Sequence, residues 1–214
     1  NCIQINHGII TSIIRPVMFQ EAAADRPSTH ASLNGGIQGA NGSGSAINVA
    51  NQPSGENNAV SIIDPDIGSW SGQGIYIDTV EKAVVYGGVV EANASRVGLA
   101  NRSQVYVRGS VHFGMNGTYL ETGGTLAQDN LILDGTGHAL VENIRQSSTA
   151  AQGGAIRLTG GCAFNTIRGV QGNNWVIDSG CSDNTLEHIG YGTGAGGITD
   201  NGVRTHMKRV RNLS

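Results

Sequence analysis

A short repeat constrains this chain more than any other feature. Between residues 139 and 210 four lines align: Leu140-Val141-Glu142-Asn143-Ile144, Thr166-Ile167-Arg168-Gly169-Val170, Thr185-Leu186-Glu187-His188-Ile189 and His206-Met207-Lys208-Arg209-Val210. Each reads apolar, charged, any residue, apolar, after one leading residue. Between them lie second apolar runs, Leu131–Asp134, Ala155–Leu158, Trp175–Asp178 and Gly197–Asp200, so each repeat carries at least two strands. Short strands recurring about every 20 residues between Gly, Asn, Ser and Thr predict a solenoid.

Composition fits a thin-cored, turn-rich fold. The 214 residues include 33 Gly and only 4 Pro, with hydrophobics at 38% and aromatics at 5%. Glycine suits tight turns, and scarce proline leaves strands free to pair. On composition the chain divides into residues 1–58 and 59–214. The first part holds the strand-like runs Cys2–Asn6 and Ile9–Ile14. A Gly/Ser/Asn/Ala-rich excursion over 20–58 follows, with one expected strand at Ala46–Ala50. Met18–Ala24 reads as a possible short helix. The first residue is Asn1, and both ends abut strand-like sequence, so the expectation is a fragment or processed product of a longer chain.

A net charge of −3 argues against nonspecific nucleic-acid binding. No apolar run is long enough to span a membrane as a helix. Cys162 and Cys181 sit at equivalent places in neighbouring repeats, about 4.8 Å apart if the repeats stack. Two readings stand: a disulfide, for which that spacing suffices, or a stack of small buried thiols.

Alternation assigns faces. Ile75 and Ile77 point in, with Tyr76 and Asp78 out; Val105 and Val107 point in, with Tyr106 and Arg108 out; Leu131 and Leu133 point in, with Asp134 out. Trp175 falls in inward phase. Glu142, Arg168, Glu187 and Lys208 form an outward column of alternating sign, as parallel in-register stacking favours. Asn165 over Asn184 and Thr166 over Thr185 read as polar ladders at turns.

Short Val/Ile strands, Asn and Thr stacks and Gly-rich corners resemble the right-handed parallel β-helix of the pectate-lyase-like superfamily, and most of all the body of a bacteriophage tailspike or tail-fibre depolymerase. The resemblance covers roughly residues 59–210. It implies an all-β, right-handed parallel β-helix (solenoid) fold and a homotrimer on the virion tail among other tail proteins. It also implies binding, and often cleavage, of bacterial surface polysaccharide (capsule or O-antigen). It transfers no catalytic residue.

Glycoside hydrolysis needs two carboxylates flanking the scissile bond. The candidates are Asp64 and Asp66, near Trp70, together with Asp78 and Glu121. Further acids are Glu81, Glu91, Asp134, Asp178 and Asp200. Asp64-Pro65-Asp66 reads also, and more simply, as a strand-ending turn, and Asp134, Asp178 and Asp200 read as turn residues. Trp70, Tyr76, Tyr86, Tyr106 and Arg108 are the expected carbohydrate contacts. The six histidines show no metal-ligand spacing, and no metal or other cofactor is expected. Three function classes follow: a polysaccharide hydrolase, a non-catalytic β-helix adhesin or fibre shaft, and a polysaccharide lyase, for which Arg108 near Tyr106 offers a base.

Overall fold

The computed structural model describes residues 2–6, 17–20, 30–38, 45, 47–50, 59–68, 72–94, 99, 101–123, 127–147, 154–172, 174–191 and 197–212. Among them every regular element is a strand and every pairing is parallel. The chain is a β-solenoid, as the repeat predicts.

The chain starts with β1 (Cys2–Asn6), β2 (Val17–Gln20), β3 (His30–Gln38), β4 (Ile47–Ala50) and β5 (Ala59–Gly68). Each later coil carries three strands. The first has β6 (Ile75–Asp78), β7 (Lys82–Tyr86) and β8 (Val89–Glu91); the second has β9 (Ser103–Arg108), β10 (His112–Asn116) and β11 (Tyr119–Glu121). Then come β12 (Asp129–Asp134), β13 (Leu140–Glu142) and β14 (Arg145–Ser147), followed by β15 (Ala155–Thr159), β16 (Thr166–Arg168) and β17 (Gln171–Gly172). The last two coils are β18 (Asn174–Ile177), β19 (Thr185–Glu187) and β20 (Gly190–Tyr191), and β21 (Ile198–Asp200), β22 (His206–Lys208) and β23 (Arg211–Asn212). The first strands of the coils continue a stack begun by β2 and β4; the second and third strands form two further stacks that meet at the long strand β5.

The lines seen in the sequence are the second stack. Leu140, Thr166, Thr185 and His206 are register partners, and Glu142, Arg168, Glu187 and Lys208 form one column, as their alternating signs predict. The third stack was not expected, because its strands are only two or three residues long. The expected helix over Met18–Ala24 does not form where the structure describes it, since Met18–Gln20 belong to β2, paired with β4. The 20–58 segment holds β3 as well as the expected strand at β4. The run Ile9–Ile14 lies outside the described residues.

Corners set the geometry. Between second and third strands the chain turns in two residues. The first is left-handed and the second is buried: Gly117-Thr118, Asn143-Ile144, Gly169-Val170 and His188-Ile189. The first-residue N–H of each corner donates to the next coil, as in Gly117 to Glu142 O (3.2 Å), Asn143 to Arg168 O (3.1 Å) and His188 to Lys208 O (2.9 Å). Left-handed φ suits glycine and is tolerated by Asn. At Gly88 glycine is also sterically required, because a Cβ there would come 2.2 Å from the Pro65 carbonyl oxygen.

The core is filled from all three stacks. Ile75, Ile77, Val105, Val107, Leu131, Leu133 and Trp175 are buried as their phase predicts, with Val141, Ile167 and Leu186 fully buried opposite. Polar ladders run beside it. Asn165 Nδ2 donates to Thr136 O (2.9 Å) and Asn184 Oδ1 (3.0 Å), while its Oδ1 accepts the Ala139 N–H (2.8 Å). Cys162 and Cys181 are free and buried, which settles the cysteine question for stacked thiols. Burial pushes the Cys162 thiol up to about 12 and raises Cys181 as well.

Two outcomes follow. Asn165→Ala removes three hydrogen bonds and leaves buried groups unpaired, so urea unfolding should show a loss of about 1–3 kcal/mol; a change within about 0.5 kcal/mol, the usual range for an inert surface site, would refute the ladder. An unfolded thiol ionises near pH ~8.5, whereas the folded ones stay protonated well above it. The unfolded state then holds fewer protons, and stability falls as pH rises above that value. The slope between pH 8.5 and 10 should be shallower in Cys162→Ala than in the parent protein; equal slopes would contradict the burial effect.

Candidate functional site

The register divides the sequence-predicted site residues between two faces. Asp64, Asp66, Tyr86 and Glu121 gather at the corner between the second and third stacks. Tyr76, Asp78, Tyr106 and Arg108 share the outer face of the first stack. Trp70 lies outside the described residues.

At the corner, four columns run along the solenoid. Ile63, Tyr86, Asn116 and Glu142 end the second-stack strands. Asp64, Gly87, Gly117 and Asn143 make the left-handed turn. Asp66, Val89, Tyr119 and Arg145 are register partners in the third stack, followed by Gly68, Glu91, Glu121 and Ser147. Pro65 is buried, so Asp64 and Asp66 flank it as exposed groups on one bent strand. Asp64 is thus the corner residue that the turn reading anticipated.

Gly117 presents no side chain here, and a concavity of about 460 Å³ opens, lined by Gly117, Tyr119, Asn143 and Arg145. The Tyr119 hydroxyl donates to Glu121 Oε2 at 2.5 Å. That bond, with burial and the nearby Glu91 charge, raises the Tyr119 phenol above its ordinary range. Glu91 is the cross-strand partner of Glu121. One strand spacing, about 4.8 Å, separates their backbones. Asn143 Nδ2 donates to Asn116 Oδ1 (3.3 Å), Asn116 Nδ2 donates to Glu142 Oε2 (3.4 Å), and Arg168 pairs with Glu142. Arg145 is exposed at the rim.

The first-stack face is a closed network. Tyr76 and Tyr106 are register partners with ring centroids 5.4 Å apart. The Tyr76 hydroxyl donates to Asp78 Oδ2 (2.9 Å), the Tyr106 hydroxyl to Asp134 Oδ2 (2.6 Å), and Asn101 Nδ2 donates to the Tyr106 oxygen (3.0 Å). Burial, then the neighbouring carboxylates, raise both phenols. Arg108 lies in register between Asp78 and Asp134, and the Asp78 charge raises its guanidinium further. Tyr106 points outward as its phase requires, yet it is only 7% exposed, covered by its neighbours. Further along, Arg157 bridges Asp129 (2.9 Å) and Asp178 (3.6 Å). Asp200 behaves as a turn residue, its Oδ1 accepting the Gly202 N–H at 2.9 Å.

Sequence reasoning missed Tyr119, Asn143 and Arg145 as site residues. The Tyr119-Leu120-Glu121 alternation was visible, but its placement above Arg145 depends on a third stack that single lines do not reveal. Among the described residues no group of three or more His, Cys, Asp or Glu is placed to hold a metal, and no helix is long and apolar enough to cross a membrane. Set against known proteins, the chain matches no family, no curated protein and no solved structure.

Of the five tyrosines, Tyr76, Tyr106 and Tyr119 should ionise above the ordinary phenol range, and Tyr119→Phe should remove one late-titrating group from the absorbance titration at alkaline pH. All five ionising together near pH ~10 would contradict the hydroxyl–carboxylate bonds described.

Proposed function

We propose that this chain is the β-helical body of a phage tailspike-type protein that binds bacterial surface polysaccharide in the corner groove and hydrolyses it. One observation carries the reading: the concavity at Gly117, Tyr119, Asn143 and Arg145 lies beside the stacked pair Glu91 and Glu121. A sugar ring stacks on Tyr119, while the Asn143 amide and Arg145 guanidinium meet its hydroxyls. The Tyr119 hydroxyl holds the Glu121 carboxylate in place. Glu121 therefore attacks the anomeric carbon as Glu91 gives its proton to the leaving oxygen. Water, deprotonated by Glu91, then breaks the glycosyl–Glu121 bond and restores both carboxyl groups. Asp66 and Tyr86 extend the binding strip along the solenoid. A homotrimer on the virion tail, among other tail proteins, rests on the β-helix resemblance alone.

A second reading is a non-catalytic adhesin or fibre shaft. Glu91 and Glu121 are both partly exposed, whereas a general acid working near neutral pH is usually held in a drier site. A lyase is the third, with Arg145 or Tyr119 as base.

The test incubates the protein with purified capsule and O-antigen polysaccharides, following reducing ends and absorbance near 235 nm. Hydrolysis gives reducing ends without absorbance, and Glu121→Gln should lower the rate by at least about 100-fold with the fold intact. Reducing ends with absorbance would establish a lyase. Binding without either signal, weakened by Tyr119→Ala, would establish the adhesin.

A further inference from the structure

The corner that leads into the second stack carries side chains that the fold itself does not require. Gly137, Ala163, Ser182 and Val203 are bridge partners in successive coils. The residues after them, His138, Phe164, Asp183 and Arg204, form one column, with left-handed φ between 53° and 58°. Glycine or asparagine takes that conformation at least cost, and a bulky residue is an outlier there. Phe164 nevertheless occupies it, with coils on both sides, and is 57% exposed. Burial does not account for the ring, and the backbone disfavours it. Backbone strain of this kind clusters at functional sites.

The ring ends a ladder. His112 stacks on His138, with centroids 5.8 Å apart and planes 26° apart, and His138 stacks on Phe164 at 5.3 Å and 11°. Asp183 follows Phe164 in the column, so one face of Phe164 is covered by His138 and the other meets no ring. Arg204 fixes Asp183 through Nε–Oδ1 (2.6 Å) and Nη2–Oδ2 (2.7 Å), and this pairing holds the carboxyl below the usual carboxylate range. Each carboxylate oxygen keeps a further lone pair for a donor. An aromatic face edged by a fixed acceptor suits a pyranose, which has a face of C–H groups and a rim of hydroxyls. It suits a protein partner less, since the centres of such interfaces are depleted of charge.

We propose that Phe164 and Asp183 form a sugar-binding site, where one pyranose ring stacks on Phe164 and its hydroxyls donate to the Asp183 carboxylate. His112 and His138 back the ring and set its plane. The site lies before the second-stack strands, whereas the Gly117 concavity lies past their end. It rests neither on that groove nor on cleavage there.

The probes are methyl α-glucopyranoside, methyl β-galactopyranoside and methyl α-rhamnopyranoside, titrated into the intact protein by NMR. The His112 and His138 ring protons report on the ladder itself. At least one sugar should shift them saturably. Phe164→Leu should weaken that binding about tenfold or more, and Phe164→Trp should retain it. Phe164→Gly, the residue the corner favours, should abolish binding without lowering the urea midpoint. A clear fall in that midpoint would make the ring a structural brace and overturn the proposal. Sugar binding that leaves the two histidine signals in place would belong to the groove and would also overturn it. So would no binding of any of the three at high millimolar concentration, equal affinity in Phe164→Leu, or self-association by light scattering that Phe164→Leu abolishes.

Discussion

The two-residue corner between second and third strands is the constraint on which the rest depends. It demands a left-handed residue at the same place in every coil, met by Asp64, Gly87, Gly117, Asn143, Gly169, His188 and Arg209. L-residues other than Gly and Asn adopt that conformation at a cost. The backbone N–H groups of Gly87, Gly117, Asn143, Gly169 and His188 bond to the coil below. Neighbouring coils are thereby held in register, since a slip of one residue would turn every side chain to the wrong face. Corner chemistry, stack register and the side-chain columns outside are one linked system.

The proposed binding groove inherits that register. A coil by itself brings few reactive groups together. Repetition at one strand spacing sets Glu91 over Glu121 and Tyr119 over Arg145, residues far apart in sequence. Glycine at Gly117 then removes the side chain that would fill the corner, so the permissive backbone that makes the turn also makes the groove. The first-stack face shows the other use of the same spacing. There Tyr76, Asp78, Tyr106, Arg108 and Asp134 satisfy one another, and the result is a bracing network.

Much of the fold was legible because the late coils repeat closely. Inward phase, the charge column, the Asn165–Asn184 ladder and the burial of Trp175 all follow from alternation. The third stack was hidden, since β17 and β20 are two residues long and carry no periodic signal. Upstream register was hidden by connections of varying length, eleven residues between β8 and β9 but one between β17 and β18. Of the site, the acids and tyrosines were visible as types. Their division between two faces was not, because it depends on pairings across 19 to 30 residues. Tyr106 shows the limit of phase alone: an outward residue is covered when its neighbours in the column are large or hydrogen-bonded to it.

The central claim is that in-register parallel stacking builds the groove, with Tyr119 directly over Arg145 and Gln146 directed elsewhere. The direct measurement introduces cysteine pairs and maps disulfides by mass spectrometry after mild oxidation of the folded protein. Adjacent parallel strands set register partners about 4.8 Å apart, within the range a disulfide spans. The account predicts ready cross-linking of Tyr119→Cys with Arg145→Cys, and none of Tyr119→Cys with Gln146→Cys. Cross-linking of the second pair in place of the first would mean that the strands are shifted by one residue and that the groove does not exist as described.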